Sequence, residues 1–143
     1  MDNEIQSQWE LNSLKIKAKF DKFEKNPLHK ITIEKTNKYK KIIWSGVTIA
    51  KSRECLVLYE KSHDPVYYFP PDSIRSEFFF RSSYATHCPY KGDAAYWGLS
   101  MNNQKADNSV WAYPNPIDDV ILIKNYFSFY LDQMGKDFGI KIL

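Results

Sequence analysis

A chain of 143 residues, 43% of them hydrophobic, has material for one domain with its own core and needs no metal or disulfide staple. The formal charge of +3 is unevenly placed: residues 1–41 hold ten lysines against six acids, while residues 42–143 hold ten basic side chains against eleven acidic ones. The basic excess belongs to an N-terminal arm, and the near-neutral remainder argues against a phosphate-tracking groove and so against nucleic acid as a partner.

Residues 4–25 contain no proline or glycine, and Ile5, Trp9, Ile16, Phe20 and Phe23 recur at helical spacing, which predicts an amphipathic helix ended by Asn26-Pro27. Asp21 and Glu24 interrupt the basic residues, so the helix is expected to pack on the domain, on a partner or on a second copy of the chain rather than on a membrane. The organisation expected is therefore a helical extension over 1–28 and one domain over 29–143. From Ile31 the period changes to two. Ile31–Glu34, Ile42–Trp44 and Val47–Ile49 read as strands, with Ser45-Gly46 a hairpin turn between the last two. Cys55–Tyr59 and Val66–Phe69 read as further strands, and Pro70-Pro71-Asp72 as a stop that begins one helical turn.

Residues 77–81 and 84–88 read as two strands around Ser82-Ser83, and Ala94–Met101 is expected to pair with Ser109–Tyr113 across a polar loop over 102–108. After Pro114 and Pro116, Asp118 and Asp119 open a predicted C-terminal helix whose apolar face is Val120, Ile123, Tyr126, Phe127 and Tyr130, running to Met134-Gly135. The fold class expected is mainly β, an antiparallel body with an N-terminal and a C-terminal helix. With 23 aromatics in the chain, deep aromatic packing follows.

The segment from His87 to Trp97 concentrates the chemistry: a thiol, an imidazole, an amine, a carboxylate and two large aromatics within eleven residues. Cys88 is the candidate nucleophile. Adjacent His87 and Cys88 on an extended chain before Pro89 should point to opposite faces, so His87 is not its base, and His29, His63 or Lys91 would have to be brought in by the fold. Against this stands the reading of Cys88 as a small buried side chain. Gly92 allows a close backbone approach between Lys91 and Asp93, which either grip a ligand or form a solvated turn. Tyr96, Trp97 and Trp111, with Tyr68, are expected to wall an aromatic-lined pocket with polar handles; each Trp would serve a core equally well.

Two cysteines and three scattered histidines do not supply a metal tetrad, and no cofactor is expected. No Asp-x-Asp pair occurs in the body and no phosphate-binding glycine loop is present. With no long apolar run and no leader pattern, the expected setting is the cytosol with reduced thiols.

Val66-Tyr67-Tyr68-Phe69-Pro70, His87-Cys88-Pro89-Tyr90-Lys91-Gly92, Tyr96-Trp97, Trp111-Ala112-Tyr113 and Phe129-Tyr130, in this order, resemble the family catalogued as domain of unknown function 427, over about residues 29–134. The resemblance implies a β-tent, or Mss4-like, fold, shared with methionine sulfoxide reductase B, Yippee and the thalidomide-binding domain of cereblon. It also carries a nucleotidyltransferase-like label. This chain lacks the paired Cys-x-x-Cys knuckles of many β-tent relatives, so the resemblance implies a zinc-free tent. Lys51 stands where the family commonly has an acid. The function expected is binding of a nucleotide-like or cyclic polar small molecule by Tyr68, Cys88, Lys91, Asp93, Tyr96, Trp97 and Trp111. The alternatives are an enzyme using Cys88 or acting on nucleotides, and an interaction module working through the N-terminal helix.

Overall fold

The computed structural model describes residues 29–143. The expected helix over 4–25 lies outside them. Ten strands form three antiparallel sheets: β1 (Ile31–Lys35), β4 (Leu56–Glu60) and β5 (Val66–Tyr68) in the order β1-β4-β5; β2 (Lys40–Trp44), β3 (Val47–Ser52) and β10 (Ile140–Ile142) in the order β10-β2-β3; and β6 (Phe79–Cys88), β7 (Gly92–Met101), β8 (Gln104–Ala112) and β9 (Ser128–Phe129) in the order β6-β7-β8-β9. The mainly β expectation holds. The Ser45-Gly46 hairpin forms as read, with both residues at positive φ (50° and 77°), the conformation a two-residue turn of this hand requires.

Three local expectations are corrected. First, no C-terminal helix forms. Residues 118–123 make 3-10 turns interrupted at Val120, Asn125 adopts φ 63°, and the chain then runs extended. The amide and carbonyl of Phe127 bond those of Phe69, and Ser128-Phe129 pairs with Trp111 and Val110. Val120, Ile121 and Ile123 are β-branched and weaken a continuous helix, and from Phe127 onward sheet pairing satisfies the backbone in place of a helical ladder. Second, Ser82-Ser83 is not a turn between two strands. It lies within β6, where three residues (82–84) stand opposite Tyr96 between the pairs Arg81↔Trp97 and Ala85↔Ala95. Third, the polar loop over 102–108 shrinks to Asn102-Asn103, and β8 begins at Gln104. Its polar residues instead form a second bulge, in which residues 107–109 face Gly98. Ser82 Oγ meets Asn108 Oδ1 at 2.5 Å and ties the two bulges together.

The inner strands of the four-stranded sheet, β7 and β8, are packed on both faces over much of their length, while much of β6 is exposed. Because successive strand residues alternate, neighbouring aromatics are divided between two cores. Phe69, Leu99, Val110 and Phe129 join Ile42, Trp44, Ile49, Cys55 and Ile140 in the first. Tyr68, Tyr96 and Trp111 join Ala94, Leu56, Leu58, Tyr113, Val120 and Ile123 in the second, against which Tyr130 packs. β10, not foreseen in the sequence, seals the first core through Ile140 and completes β2, while Trp44 Nε1 donates to the Phe138 carbonyl (3.1 Å).

Candidate functional site

The second core ends in a polar seam. Tyr96 and Trp111 are direct cross-strand partners and so share a face. Trp111 Nε1 donates to Tyr68 Oη at 3.3 Å, with the two rings edge to face at 6.4 Å. Tyr130 lies with its ring 4.5 Å from Trp111 and its hydroxyl 3.2 Å from that of Tyr96, which in turn meets Thr86 Oγ1 at 3.1 Å. Burial pushes the Tyr68, Tyr113 and Tyr130 phenols well above the ordinary tyrosine range, so all three stay neutral hydroxyls able to donate. The bulge at 82–84 turns Tyr84 toward this face, its ring 4.8 Å from Tyr96. A groove of about 240 Å³ opens here, lined by Tyr84, Tyr96, Asp107, Asn108, Tyr130 and Lys136 among others.

At the other end of the seam Glu60, at the end of β4, receives two cationic or polar partners: Lys91 Nζ on one oxygen and His29 Nε2 on the other (2.8 Å). Only 12% of the Glu60 and Lys91 side chains is exposed, so each needs the other. Burial alone would raise the Glu60 carboxyl, but Lys91 and His29 outweigh it and hold the group below the usual carboxylate range. Lys91 Nζ also reaches Cys88 Sγ at 3.8 Å, and His29 stacks on Tyr90 with centroids 3.9 Å apart.

Of the seven residues singled out in the sequence, Tyr68, Cys88, Lys91, Tyr96 and Trp111 are thus on the side of the sheet that faces the second core. Asp93 and Trp97 are not. Both occupy odd positions on β7: Asp93 bonds His87 Nδ1 (2.7 Å), and Trp97 packs against the first core with Phe127. The pairing of Trp97 with Trp111 as two walls of one pocket fails on the two-residue period of the strand, which sends consecutive positions 96 and 97 to opposite faces. The expected divergence of His87 and Cys88 follows the same rule. Glu60, Tyr113 and Tyr130 escaped sequence reasoning, and His29, considered there only as a partner for Cys88, bonds Glu60 instead. Tyr130 has the spacing of a helix face, and no local pattern links Glu60 to Lys91 across 31 residues.

Cys55 is fully buried in the first core and desolvation pushes its thiol up to about 12, so it is a packed thiol with little thiolate character. Asp118 and Asp119 are exposed on a 3-10 turn. Among the described residues no group of three or more His, Cys, Asp or Glu side chains is placed to hold a metal ion.

The family described as Domain of unknown function (DUF427) matches residues 32–138, well over half of the chain, and the protein belongs to that family. Comparison with curated proteins finds no match.

Proposed function

We propose that this DUF427 member is a binding domain for a small cyclic polar molecule, nucleobase-like in its flat ring and its hydrogen-bonding edge. The ligand would enter at Tyr84 and Tyr130 and lie against the sheet face that carries Tyr96 and Trp111. The observation that carries this reading is the chain of hydroxyls Thr86, Tyr96 and Tyr130, set among the rings of Tyr84, Tyr96, Tyr130 and Trp111 at the mouth of a groove. Aromatic surface supplies affinity without charge, and hydroxyls that already hold one another exchange partners at little cost when a ligand carbonyl or ring nitrogen arrives. The β-tent reading of the fold belongs to the same proposal, supported by the antiparallel sheets and the family.

The test is the thermal midpoint of the purified chain against nucleobases, nucleotides with and without Mg²⁺, cyclic imides and sulfoxides, repeated with Tyr96→Phe and Tyr130→Phe. A ligand at 100 times its dissociation constant stabilises by about 2.7 kcal/mol. A selective upward shift that weakens in both variants is expected; a flat panel, or a shift that neither variant changes, removes the proposal.

One observation favours a second reading, an enzyme with Cys88 as nucleophile: Lys91, itself fixed by Glu60, directs its ammonium at the Cys88 sulfur. Rapid alkylation of Cys88 at neutral pH that slows in Lys91→Met would support it. A rate equal to that of a free thiol and indifferent to Lys91 would remove it.

A further inference from the structure

The opposite face of β6 and β7 carries a second groove, of about 240 Å³, lined by Arg81, Ala85, Asp93, Ala94, Ala95, Pro114 and Asn115. Its floor is flat because Ala85 pairs with Ala95, and Ala95 with Ala112, in one row across three strands. One row along, Arg81 pairs with Trp97; on the other side, His87 pairs with Asp93. All of these positions project to the same face. The groove is therefore a strip of methyl groups with a cation at one end and a carboxylate at the other.

Both charged ends are held in place. One terminal nitrogen of Arg81 donates to the carbonyls of Tyr96 (2.9 Å) and Ser82, and its guanidinium lies 4.9 Å from the Trp97 ring centroid. The remaining guanidinium donors make no hydrogen bond within the described residues, so the fork is oriented yet has capacity to spare. Asp93 Oδ1 is engaged by His87 Nδ1, and the side chain is 45% exposed, which leaves its second oxygen open to a partner. Gly92, at φ 114°, lets the backbone of Asn115 pass close by: a Cβ there would come within 3.2 Å of the Asn115 carbonyl. That approach seats Pro114 and Asn115 as the rim.

We propose that this face is a second binding site, independent of the tyrosine-lined one, for a small dipolar ligand that places a carboxylate on Arg81 and an ammonium group on Asp93, with an apolar spacer over Ala85 and Ala95. Asp93 and Trp97 lie four residues apart, about 13 Å along an extended strand. The spacer must therefore be longer than the single carbon of an α-amino acid, which makes an ω-amino acid the fitting class.

The experiment is an amide NMR titration of the full chain with the homologous series from glycine through ω-aminobutanoate to ω-aminohexanoate and longer. Hexanoate and hexylamine serve as singly charged controls. The proposal expects saturable shifts at Ala95 and Asn115 that pass through an optimum of chain length. It expects a loss of about tenfold or more in affinity in Asp93→Asn and in Arg81→Gln, and abolition in Ala85→Leu, which fills the floor from an exposed position without touching either charge. It is overturned by the absence of saturable shifts for every homologue, by equal binding of the singly charged controls, or by undiminished binding in folded Ala85→Leu or Asp93→Asn. Perturbation of Tyr96 and Tyr130 in place of Ala95 and Asn115 also overturns it, and would assign these ligands to the other face.

Discussion

Glu60 shows how one side chain couples stability to the candidate site. Its carboxylate is nearly buried and is balanced by Lys91 and His29. Glu60→Gln leaves the Lys91 ammonium without its counter-charge, and we expect a loss of about 2 kcal/mol, below the 3–5 kcal/mol of a fully enclosed pair because some solvent reaches both groups. Chemical denaturation of Glu60→Gln, Lys91→Met and the double variant checks this: the double variant should cost less than the sum of the two. The carboxyl is held below its ordinary range in the folded state, so the stability it contributes is fully present above the unfolded value of about 4.3 and drains away as pH falls through the folded value. Denaturation midpoints measured downward from about pH 6 should therefore fall for the wild type and be flatter for Glu60→Gln. The two thiols should separate as clearly. Cys88 should react with a thiol reagent in the native protein and Cys55 only after unfolding, because Cys55 is sealed in the core and its thiol is pushed up to about 12. Native labelling of Cys55 would contradict the burial argument.

At the scale of elements, the bulges and the turns decide which side chains reach which face. Ser45 and Gly46 hold positive φ between β2 and β3, and Gly46→Ala, with no neighbour within 4 Å of the new methyl, isolates the backbone cost. A loss of about 1 kcal/mol in thermal or urea unfolding is expected. The bulge at residues 82–84 is a different kind of device, since it adds residues to β6 opposite a single partner and so re-aims Tyr84. The hairpin turn was readable from Ser-Gly between alternating segments. The bulge was not, because Ser82-Ser83 between two strand-like segments has the composition of a turn, and only pairing with β7 on both sides keeps the strand continuous. The C-terminal segment misled for a related reason. Val120, Ile123, Tyr126, Phe127 and Tyr130 have helical spacing, yet the free backbone of Phe69 and of β8 offered a stronger set of hydrogen bonds.

For the molecule as a whole, one sheet serves two cores. Ile140, fully buried on the last strand, belongs to the first core, and Ile140→Ala should cost about 3 kcal/mol, the usual range for a large buried aliphatic residue cut back to alanine. Because β7 and β8 line both cores, the tyrosine seam should unfold with the rest. Urea transitions followed by far-ultraviolet dichroism and by hydrogen exchange of the Tyr96 and Trp111 amides should coincide. Separate transitions would mean that the two cores are energetically independent.

The chain by itself determined a mainly β domain, most of the strands, the Ser45-Gly46 turn and the opposite directions of His87 and Cys88, because each of these rests on a period of two or on local backbone chemistry. It also placed Tyr68, Cys88, Lys91, Tyr96 and Trp111 among the residues of interest. Only the tertiary structure decided which of them meet. Tyr96-Trp97, Tyr68-Phe69 and Phe129-Tyr130 look alike in sequence, and extended backbone running between two cores divides every such pair between them. The partnership of Glu60 with Lys91 and His29, and the separation of Trp97 from Trp111, depend on strand register. Register is set by packing summed over the whole sheet, and no local run of residues carries it.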